Sequence, residues 1–364
     1  MKVGVPKEIK EQEHRVAVLP SVVYQLTKLG YKVYVERGAG AGAGYSDEEY
    51  ERAGAIMSSD HAEIFSVAEL IVKVKEPLPS EYGLLREDQI LLTYLHLAAN
   101  KSLTEVLMQS GITAIAYETV EINRRLPLLE PMSEIAGRMS IIVGGYFLAK
   151  HSGGTGVLLG GVPGILPGNV VVIGGGTSGV NAARMAAGLG ANVTILEVDF
   201  ERMRFLDITM HTAHTLYSSE AHLLEMLPRT DLLIGAVLLP GARAPRLITR
   251  SMLRLMKPGS VLVDIAIDQG GCCETSRPTT HHDPVYVEEG ITHYCVANMP
   301  GAYARTATQA LTNVTARFVE YLAEGGVEGA IRKEPALATG INVMGGSICN
   351  EAVAASHQLP FKKL

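Results

Sequence analysis

The stretch VVVIGGGTSGVNAARMAAGLGANVTILEVD, which spans residues 170–199, decides the fold class of this chain. It starts with apolar residues typical of a buried strand, continues through a glycine turn into an alanine-rich helical pattern, and ends on a second strand pattern. Gly174, Gly176 and Gly179 match the spacing G-x-G-x-x-G. At that spacing glycines permit a tight turn, close approach of a pyrophosphate to the backbone, and close packing of the helix on the strand. The stretch therefore predicts a βαβ unit that binds a dinucleotide at the start of its helix.

Glu197 indicates which dinucleotide is bound, because it ends the second strand pattern. A carboxylate at this place accepts hydrogen bonds from the ribose hydroxyls and repels a 2′-phosphate. The sequence therefore favours NAD over NADP, although Arg202 and Arg204 lie close enough along the chain to keep NADP open. An α/β domain with a glycine turn and no ligand is the alternative, and the complete strand–turn–helix–strand context argues against it.

The position of this stretch, starting at residue 170 of 364, leaves room for a second domain before it. The first 130 residues alternate short apolar runs with helical patterns, which is typical of parallel βαβ units, but no glycine fingerprint follows their first strand. We therefore predict a discontinuous substrate domain of residues 1–130 plus 306–364 and an NAD-binding domain of residues 131–305. Both are expected to be Rossmann-like α/β domains, each a mainly parallel sheet flanked by helices, with a cleft between them.

Composition narrows the function class further. A net charge of −6 disfavours nucleic acid as a partner. The most apolar helical pattern, residues 141–149, is far shorter than the roughly 20 residues that cross a membrane. The charged N-terminal segment and four cysteines without C-x-x-C spacing favour a reduced, cytoplasmic protein. We predict no metal site, because the pair His211 and His214 and the group 281–283 lack a further ligand at standard spacing.

Four polar residues lie at or near the ends of predicted strands: Arg15, Lys75, His96 and Asp268. Each alone has an ordinary explanation, such as a solvated charge, a partly buried histidine or a turn-forming aspartate. Together they suit one chemistry, since a guanidinium binds a carboxylate, an ammonium polarises a carbonyl and an imidazole transfers protons. Asp268 ends the strand predicted over residues 260–268, at the edge where ligands bind in open α/β sheets.

With these residues the chain resembles the bacterial L-alanine dehydrogenases, within a larger group that includes the NAD-binding part of proton-translocating transhydrogenase. The resemblance covers essentially the whole length. It rests on the segments MKVGVPKEIKEQEHRVAVLP, LIVKVKEPLPSEY, LLTYLHLAAN, ITAIAYETVE, PMSEIAGRMS, GVLLGGVPGILPG, VVVIGGGTSGVNAARMAAGLGA, DLLIGAVLLPGARAP, VLVDIAIDQGGC and HYCVANMPGA.

The resemblance implies reversible oxidative deamination of L-alanine to pyruvate and ammonium, with hydride transfer to NAD, in a homo-oligomer that is usually a hexamer. Arg15 and Lys75 are then expected to bind the substrate, and His96 and Asp268 to form the catalytic pair. The family often has Asp where this chain has Glu197. The positions expected to contact the cofactor are Ser133, Gly174, Gly176, Thr177, Ser178, Gly179, Glu197, Arg202, Ser218, Val237, Leu238, Ile265, Ala266, Ile267, Asp268, Arg277, Val296, Ala297, Asn298 and Met299.

Two other functions are compatible with a dinucleotide-binding chain of this kind. One is a non-catalytic NADH-binding module that docks on a membrane partner, as the transhydrogenase α subunit does. The other is a dehydrogenase that joins amino acids to keto acids, which needs a larger pocket. The joint presence of Arg15, Lys75, His96 and Asp268 favours an amino-acid dehydrogenase over both.

Overall fold

The computed structural model describes residues 1–237 and 244–364. The described residues form two compact units. The outer unit contains Met1–Met132 and Gly301–Leu364, and the central unit contains residues 133–237 and 244–300.

The elements are named here in chain order. Residues 1–132 contain the strands β1 (Lys2–Val5), β2 (Lys32–Glu36), β3 (Ile56–Ser58), β4 (Leu70–Val72), β5 (Ile90–Thr93) and β6 (Thr113–Ala116), and the helices α1 (Pro20–Lys28), α2 (Asp47–Arg52), α3 (His61–Val67) and α4 (Lys101–Ser110). The next part contains α5 (Glu130–Phe147), β7 (Asn169–Ile173), α6 (Thr177–Gly188), β8 (Asn192–Glu197), α7 (Phe200–Thr209), β9 (Ala213–Tyr217), α8 (Glu220–Met226), β10 (Leu232–Gly235), α9 (Arg250–Leu253), β11 (Val261–Asp264), β12 (Val285–Glu288) and β13 (Ile291–Tyr294). The last part contains α10 (Ala304–Lys333, kinked at Gly326), α11 (Leu337–Gly340), β14 (Ile341–Met344), β15 (Ser347–Ile348) and α12 (Glu351–His357).

The outer sheet has the strand order β15-β14-β6-β5-β4-β1-β2-β3. The strands from β6 to β3 pair in parallel, whereas β14 and β15 pair antiparallel. The chain moves from β1 to β2 on one side and then places β4 on the other side of β1. This reversal is a topological switch point, the place where parallel α/β sheets bind ligands beyond the carboxyl ends of their strands. All residues of β4 and β5 are buried, as expected for inner strands of a parallel sheet covered on both faces.

The central sheet has the strand order β12-β13-β11-β10-β7-β8-β9, and only β12 pairs antiparallel among its described strands. Its switch point lies between β7 and β10, because the chain passes from β7 to β8 and β9 before it returns to the other side of β7. Val170 and Val172 of β7 pack in one apolar core with Ala182, Ala183 and Ala186 of α6. The alanine-rich helix therefore packs closely against its own sheet.

These observations confirm the predicted fold class of two mainly parallel sheets flanked by helices. Helix α2 begins with a capping box, since the Ser46 hydroxyl accepts the N–H of Glu49, and the Glu49 carboxylate accepts the N–H of Ser46. Helix α1 begins at Pro20, whose fixed φ suits the first helical position, and no side chain of the described residues caps it.

The strand predicted over residues 260–268 ends early. β11 stops at Asp264, and Ile265–Gln269 form a 3₁₀ turn. The reason is the Asp264 carboxylate, which accepts the N–H of Ala266 at 3.1 Å and that of Cys272 at 2.9 Å and so turns the chain out of the sheet. Asp268 therefore lies in a turn and not at the end of a strand.

Membrane-spanning helices and metal-binding groups are the next features to consider in the described residues. In residues 1–237 and 244–364, no helix is long and apolar enough to cross a membrane. The same residues contain no group of three or more His, Cys, Asp or Glu side chains that could hold a metal ion.

Candidate active site

Three of the four predicted substrate and catalytic residues lie at one edge of the outer sheet. Arg15 lies in the segment between β1 and α1, Lys75 follows β4 by three residues and His96 follows β5 by three residues. The strands β1, β4 and β5 are parallel neighbours in the sheet, so their carboxyl ends share one edge. The topology therefore brings a guanidinium, an ammonium and an imidazole to the switch point of this unit.

The Arg15 side chain is buried and held by a carboxylate. Its Nε donates to Glu13 Oε1 at 2.6 Å and its second terminal nitrogen to Glu13 Oε2 at 2.5 Å, while the other terminal nitrogen contacts Met132 Sδ at 3.1 Å. Burial disfavours the charged guanidinium, but Glu13 outweighs it and raises the pKa of Arg15. The bidentate pair fixes the plane in which this cation is presented to an anion.

Lys75 is buried, and its surroundings connect it to His96. The carboxylate of the adjacent Glu76 pairs with Lys10 Nζ at 2.5 Å. Burial raises the pKa of Glu76, but the charges of Lys75, Lys10 and His96 lower it by more. The Glu76 carboxylate thus interacts electrostatically with both Lys75 and His96, so these two side chains share one electrostatic environment.

His96 adopts an uncommon backbone conformation. Its φ of 50° and ψ of 38° lie in the left-handed region, which non-glycine residues adopt only when the surroundings enforce it. Its N–H donates to Glu118 Oε1 at 2.6 Å. Its ring stacks on Tyr94 with centroids 6.0 Å apart, and the Tyr94 hydroxyl donates to the Leu128 carbonyl at 2.6 Å. The carboxylate of Glu118 therefore holds the backbone of His96, and the Tyr94 ring packs against its half-buried imidazole.

Asp268 belongs to the central unit, where it is exposed in the turn that follows β11. His96 belongs to the outer unit. The catalytic pairing of these two residues stays a prediction.

The glycine loop of the central unit has the geometry expected for a phosphate-binding turn. Gly174 has a φ of +94°, and a Cβ added there would lie 2.7 Å from the carbonyl oxygen of Ala236, across the switch point. A Cβ added at Gly179 would lie 1.8 Å from the carbonyl oxygen of Gly174, so the helix can approach the strand only without one. Gly176 precedes the first turn of α6 and has open space around it. This leaves the positive end of the helix accessible to an anion such as pyrophosphate.

Glu197 ends β8 and contacts the same loop. Its Oε2 accepts the N–H of Gly175 at 2.7 Å, and its Oε1 accepts the N–H of Val198 at 2.7 Å. Arg202 Nε donates to the carbonyl oxygen of Gly175 at 2.6 Å. The carboxylate therefore lies beside the phosphate-binding turn, and each of its oxygens can accept more than one hydrogen bond. Its position fits the ribose of a dinucleotide.

The other positions expected to contact the cofactor follow the carboxyl ends of successive strands in the central sheet. Ser218 follows β9, Val237 follows β10, Ile265, Ala266, Ile267 and Asp268 follow β11, and Val296, Ala297, Asn298 and Met299 follow β13. Thr177 and Ser178 start α6, Ser133 lies in α5, and Arg277 is held over the Tyr286 ring at 3.9 Å. Leu238 lies outside the described residues. The expected cofactor positions on these strands therefore share the edge on which parallel sheets bind dinucleotides.

The sequence interpretation missed the residues that hold the site. Glu8 and Glu13 lie in the same charged run as Arg15, and Glu118 follows β6 as His96 follows β5. A carboxylate close to each predicted cationic residue was the available signal. This signal does not distinguish them, because acidic residues are common near strand ends for other reasons, including turns and caps.

Comparison with known proteins agrees with this arrangement. Residues 4–136 match the family model described as alanine dehydrogenase/PNT, N-terminal domain, and residues 140–351 match the C-terminal domain of the same family. A curated alanine dehydrogenase from Methanococcus maripaludis is 52% identical over 99% of this chain and 98% of its own length. A solved L-alanine dehydrogenase structure matches with a TM-score of 0.93 and 51% identity, covering 98% of this chain and 99% of that one.

A transhydrogenase structure from Sinorhizobium meliloti matches less closely. Its TM-score is 0.81 and its identity 26%, with 96% of this chain and all of that chain covered. Both halves of this chain match the family models, and the identity to the curated relative extends over nearly the full length. The chain therefore belongs to the alanine dehydrogenase/PNT family.

Proposed function

We propose that this chain is an NAD-dependent L-alanine dehydrogenase, which converts L-alanine and water to pyruvate and ammonium and runs in both directions. The observation that carries the proposal is the grouping of Arg15, Lys75 and His96 at one sheet edge in a chain 52% identical to an alanine dehydrogenase. A phosphate-binding turn in the central unit supplies the second requirement, a dinucleotide site.

Arg15 and Lys75 are the proposed substrate-binding residues. The guanidinium binds the carboxylate of alanine or pyruvate, and the bidentate contact with Glu13 keeps its plane fixed for that contact. The Lys75 ammonium donates to the keto oxygen and stabilises the negative charge that develops there. Both side chains are almost fully buried, so their charges act in a region of low dielectric.

His96 is the proposed acid–base group, and Asp268 assists it. NAD, when bound, would supply the hydride acceptor for the oxidation of alanine, and NADH would supply the hydride in the reverse direction. The oxidised substrate is an imine, to which water adds. His96 takes a proton from that water and gives one to the departing amine, which leaves as ammonium. The stacked Tyr94 ring keeps the imidazole in one orientation during both transfers.

The cofactor is held by the central unit in this proposal. The pyrophosphate binds at the start of α6 beside Gly176, and the Glu197 carboxylate accepts the ribose hydroxyls. The negative charge of Glu197 disfavours the 2′-phosphate of NADP. The open space around Gly176 and the contact of Glu197 with the same turn support this assignment.

Following NADH absorbance tests the function directly. We expect NADH formation from L-alanine and NAD, and a rate roughly tenfold or more lower with NADP because Glu197 repels its phosphate. D-alanine is the matched control, since it has the same groups on the opposite face of the α-carbon. A folded protein that forms no NADH from L-alanine would contradict the proposal.

The alternative of an NADH-binding transhydrogenase module is less supported. The match to the transhydrogenase structure has 26% identity, against 51% for the L-alanine dehydrogenase structure. A module that only binds NADH does not require a histidine held in a left-handed backbone conformation at a strand end.

We further propose that the chain forms a homo-oligomer, a hexamer by family resemblance. Exposed apolar side chains cluster in the segment between α5 and β7, where Leu158, Val162, Ile165 and Leu166 are 55–88% exposed. Exposed apolar side chains grouped in one segment are typical of a protein interface. In this proposal a second copy of the chain covers them. Light scattering is expected to give a mass several times that of the 38.9 kDa chain. A monomer in solution would contradict this proposal.

A further inference from the structure

The strands that precede Lys75 and His96 lose their ladder partners before these residues are reached. The β4–β5 register ends where Val72 lies opposite Leu92, and β5 pairs with β6 only as far as Thr93. Backbone N–H groups beyond these points need other acceptors, because a buried unpaired donor is costly. The N–H groups of Lys73 and Tyr94 still donate to the carbonyl oxygens of Leu92 and Val74. For the N–H groups that follow, those of Val74 and Lys75 and those of Leu95 and His96, the acceptor is a carboxylate.

Glu8 supplies the acceptor beyond β4. Its Oε1 accepts the N–H of Val74 at 2.6 Å and that of Lys75 at 3.3 Å. Its Oε2 lies 3.3 Å from Lys73 Nζ, and only 3% of its side chain is exposed. Glu8 follows β1, so these contacts cross the switch point of the outer sheet. Burial raises the pKa of Glu8, and the charge of Lys73 opposes that rise.

Glu118 supplies the acceptor beyond β5. Its Oε1 accepts the N–H of Leu95 at 3.1 Å and that of His96 at 2.6 Å. Glu118 follows β6, the strand next to β5. Because the left-handed conformation is disfavoured for residues other than glycine, the conformation of His96 needs such a contact to persist.

We propose that Glu8 and Glu118 are positioning residues, which hold the backbones of Lys75 and His96 so that their side chains reach the substrate. Each accepts the N–H of the reacting residue and of the residue before it, which fixes both position and direction. A hydrogen bond to an ionised acceptor is about twice as strong as a neutral one, so the backbone is held tightly. The inference rests on the proposed function, because it assigns the purpose of the contacts from the roles of Lys75 and His96.

Glu118→Ala is the first test. Without the acceptor, His96 leaves its left-handed conformation, and we expect kcat for pyruvate amination to fall about a hundredfold, the effect of a displacement of roughly 1 Å. The KM for pyruvate and the Kd for NADH are expected to change less than about threefold, because Arg15 and Lys75 are untouched. Glu118→Gln keeps one oxygen that can accept both N–H groups, so it is expected to retain kcat within about threefold.

Glu8→Gln is the second test, and it is expected to act on a different constant. Glutamine has a single acceptor oxygen, which cannot face Lys73 Nζ and accept the N–H groups of Val74 and Lys75 at the same time. The segment of Val74 and Lys75 therefore shifts, which weakens binding of the keto oxygen. We expect the KM for pyruvate to rise about tenfold with a smaller change in kcat. Effects on separate kinetic constants distinguish positioning from a general loss of stability.

Asp231→Asn is the matched control. The Asp231 carboxylate is also buried, also pairs with a lysine (Lys257 Nζ at 3.0 Å) and also accepts a backbone N–H, that of Asn169 at 2.8 Å. It lies at the amino end of β10, on the edge of the central sheet opposite the expected cofactor positions. We expect a lower melting temperature but kcat and KM within about twofold of the parent chain.

The outcomes separate the inference from the proposed function. An inactive parent chain would overturn both. With an active parent chain, the inference fails if Glu118→Ala keeps its kcat and Glu8→Gln keeps its KM, or if Asp231→Asn lowers activity as much as they do. A low kcat in Glu118→Ala, restored in Glu118→Gln, supports it.

Discussion

Replacing His96 with alanine is expected to lower kcat for pyruvate amination by about a thousandfold, because the proposed acid–base group is lost. The Kd for NADH is expected to stay within about twofold, since His96 lies in the outer unit and the phosphate-binding turn lies in the central unit. Steady-state rates and a titration of NADH fluorescence measure the two quantities on the same preparation.

His211→Ala is the control for this experiment, because His211 is an exposed histidine outside the proposed site. It is expected to change neither quantity. Loss of NADH binding in His96→Ala would mean that His96 belongs to the cofactor site. An unchanged kcat would remove His96 from the mechanism altogether.

The second large effect is expected from Gly179→Ala. The added methyl group would lie 1.8 Å from the carbonyl oxygen of Gly174, so α6 must move away from the turn that precedes it. We expect the Kd for NADH to rise about a hundredfold, since the helix start and the turn no longer present their N–H groups together. The melting temperature is expected to fall as well, because the methyl group meets a backbone oxygen, which can move away only if the turn or the helix shifts.

Gly188→Ala is a matched control in the same helix. A Cβ added at Gly188 meets no atom within 4 Å, and alanine is the better helix former by about 1 kcal/mol. Unchanged NADH binding with equal or higher thermal stability is the expected result. If Gly179→Ala bound NADH as well as Gly188→Ala does, the turn described here would not be the cofactor site.

The fold class could be predicted because its signals are local. Strands buried on both faces appear as short apolar runs, and the helices between them have their own period, so the alternation identifies parallel βαβ units. The three glycines of the central turn are equally local. The positive φ of Gly174 belongs to the turn itself, and Gly179 approaches Gly174, which lies five residues before it. Only the contact of Gly174 with Ala236 joins distant parts of the chain.

Other features depended on contacts between distant parts of the chain. Glu8 lies 66 residues from the N–H of Val74 that it accepts, and Glu118 lies 22 residues from that of His96. The end of β11 depended on a contact across a turn, in which the Asp264 carboxylate accepts the N–H of Cys272. No pattern along the chain distinguishes these carboxylates from solvated ones, since what defines them is the donor that the fold brings to them.

The sequence by itself therefore determined the fold class, the dinucleotide turn and the types of residue that lie at the strand ends. These follow from periodicity, glycine spacing and the rule that parallel sheets bind ligands at their carboxyl edge. Only the tertiary structure decided how Arg15, Lys75 and His96 are held. Glu13 holds Arg15 from two residues away, whereas the carboxylates that hold Lys75 and His96 follow neighbouring strands of the sheet. Strand order is a property of the folded chain, not of any single segment.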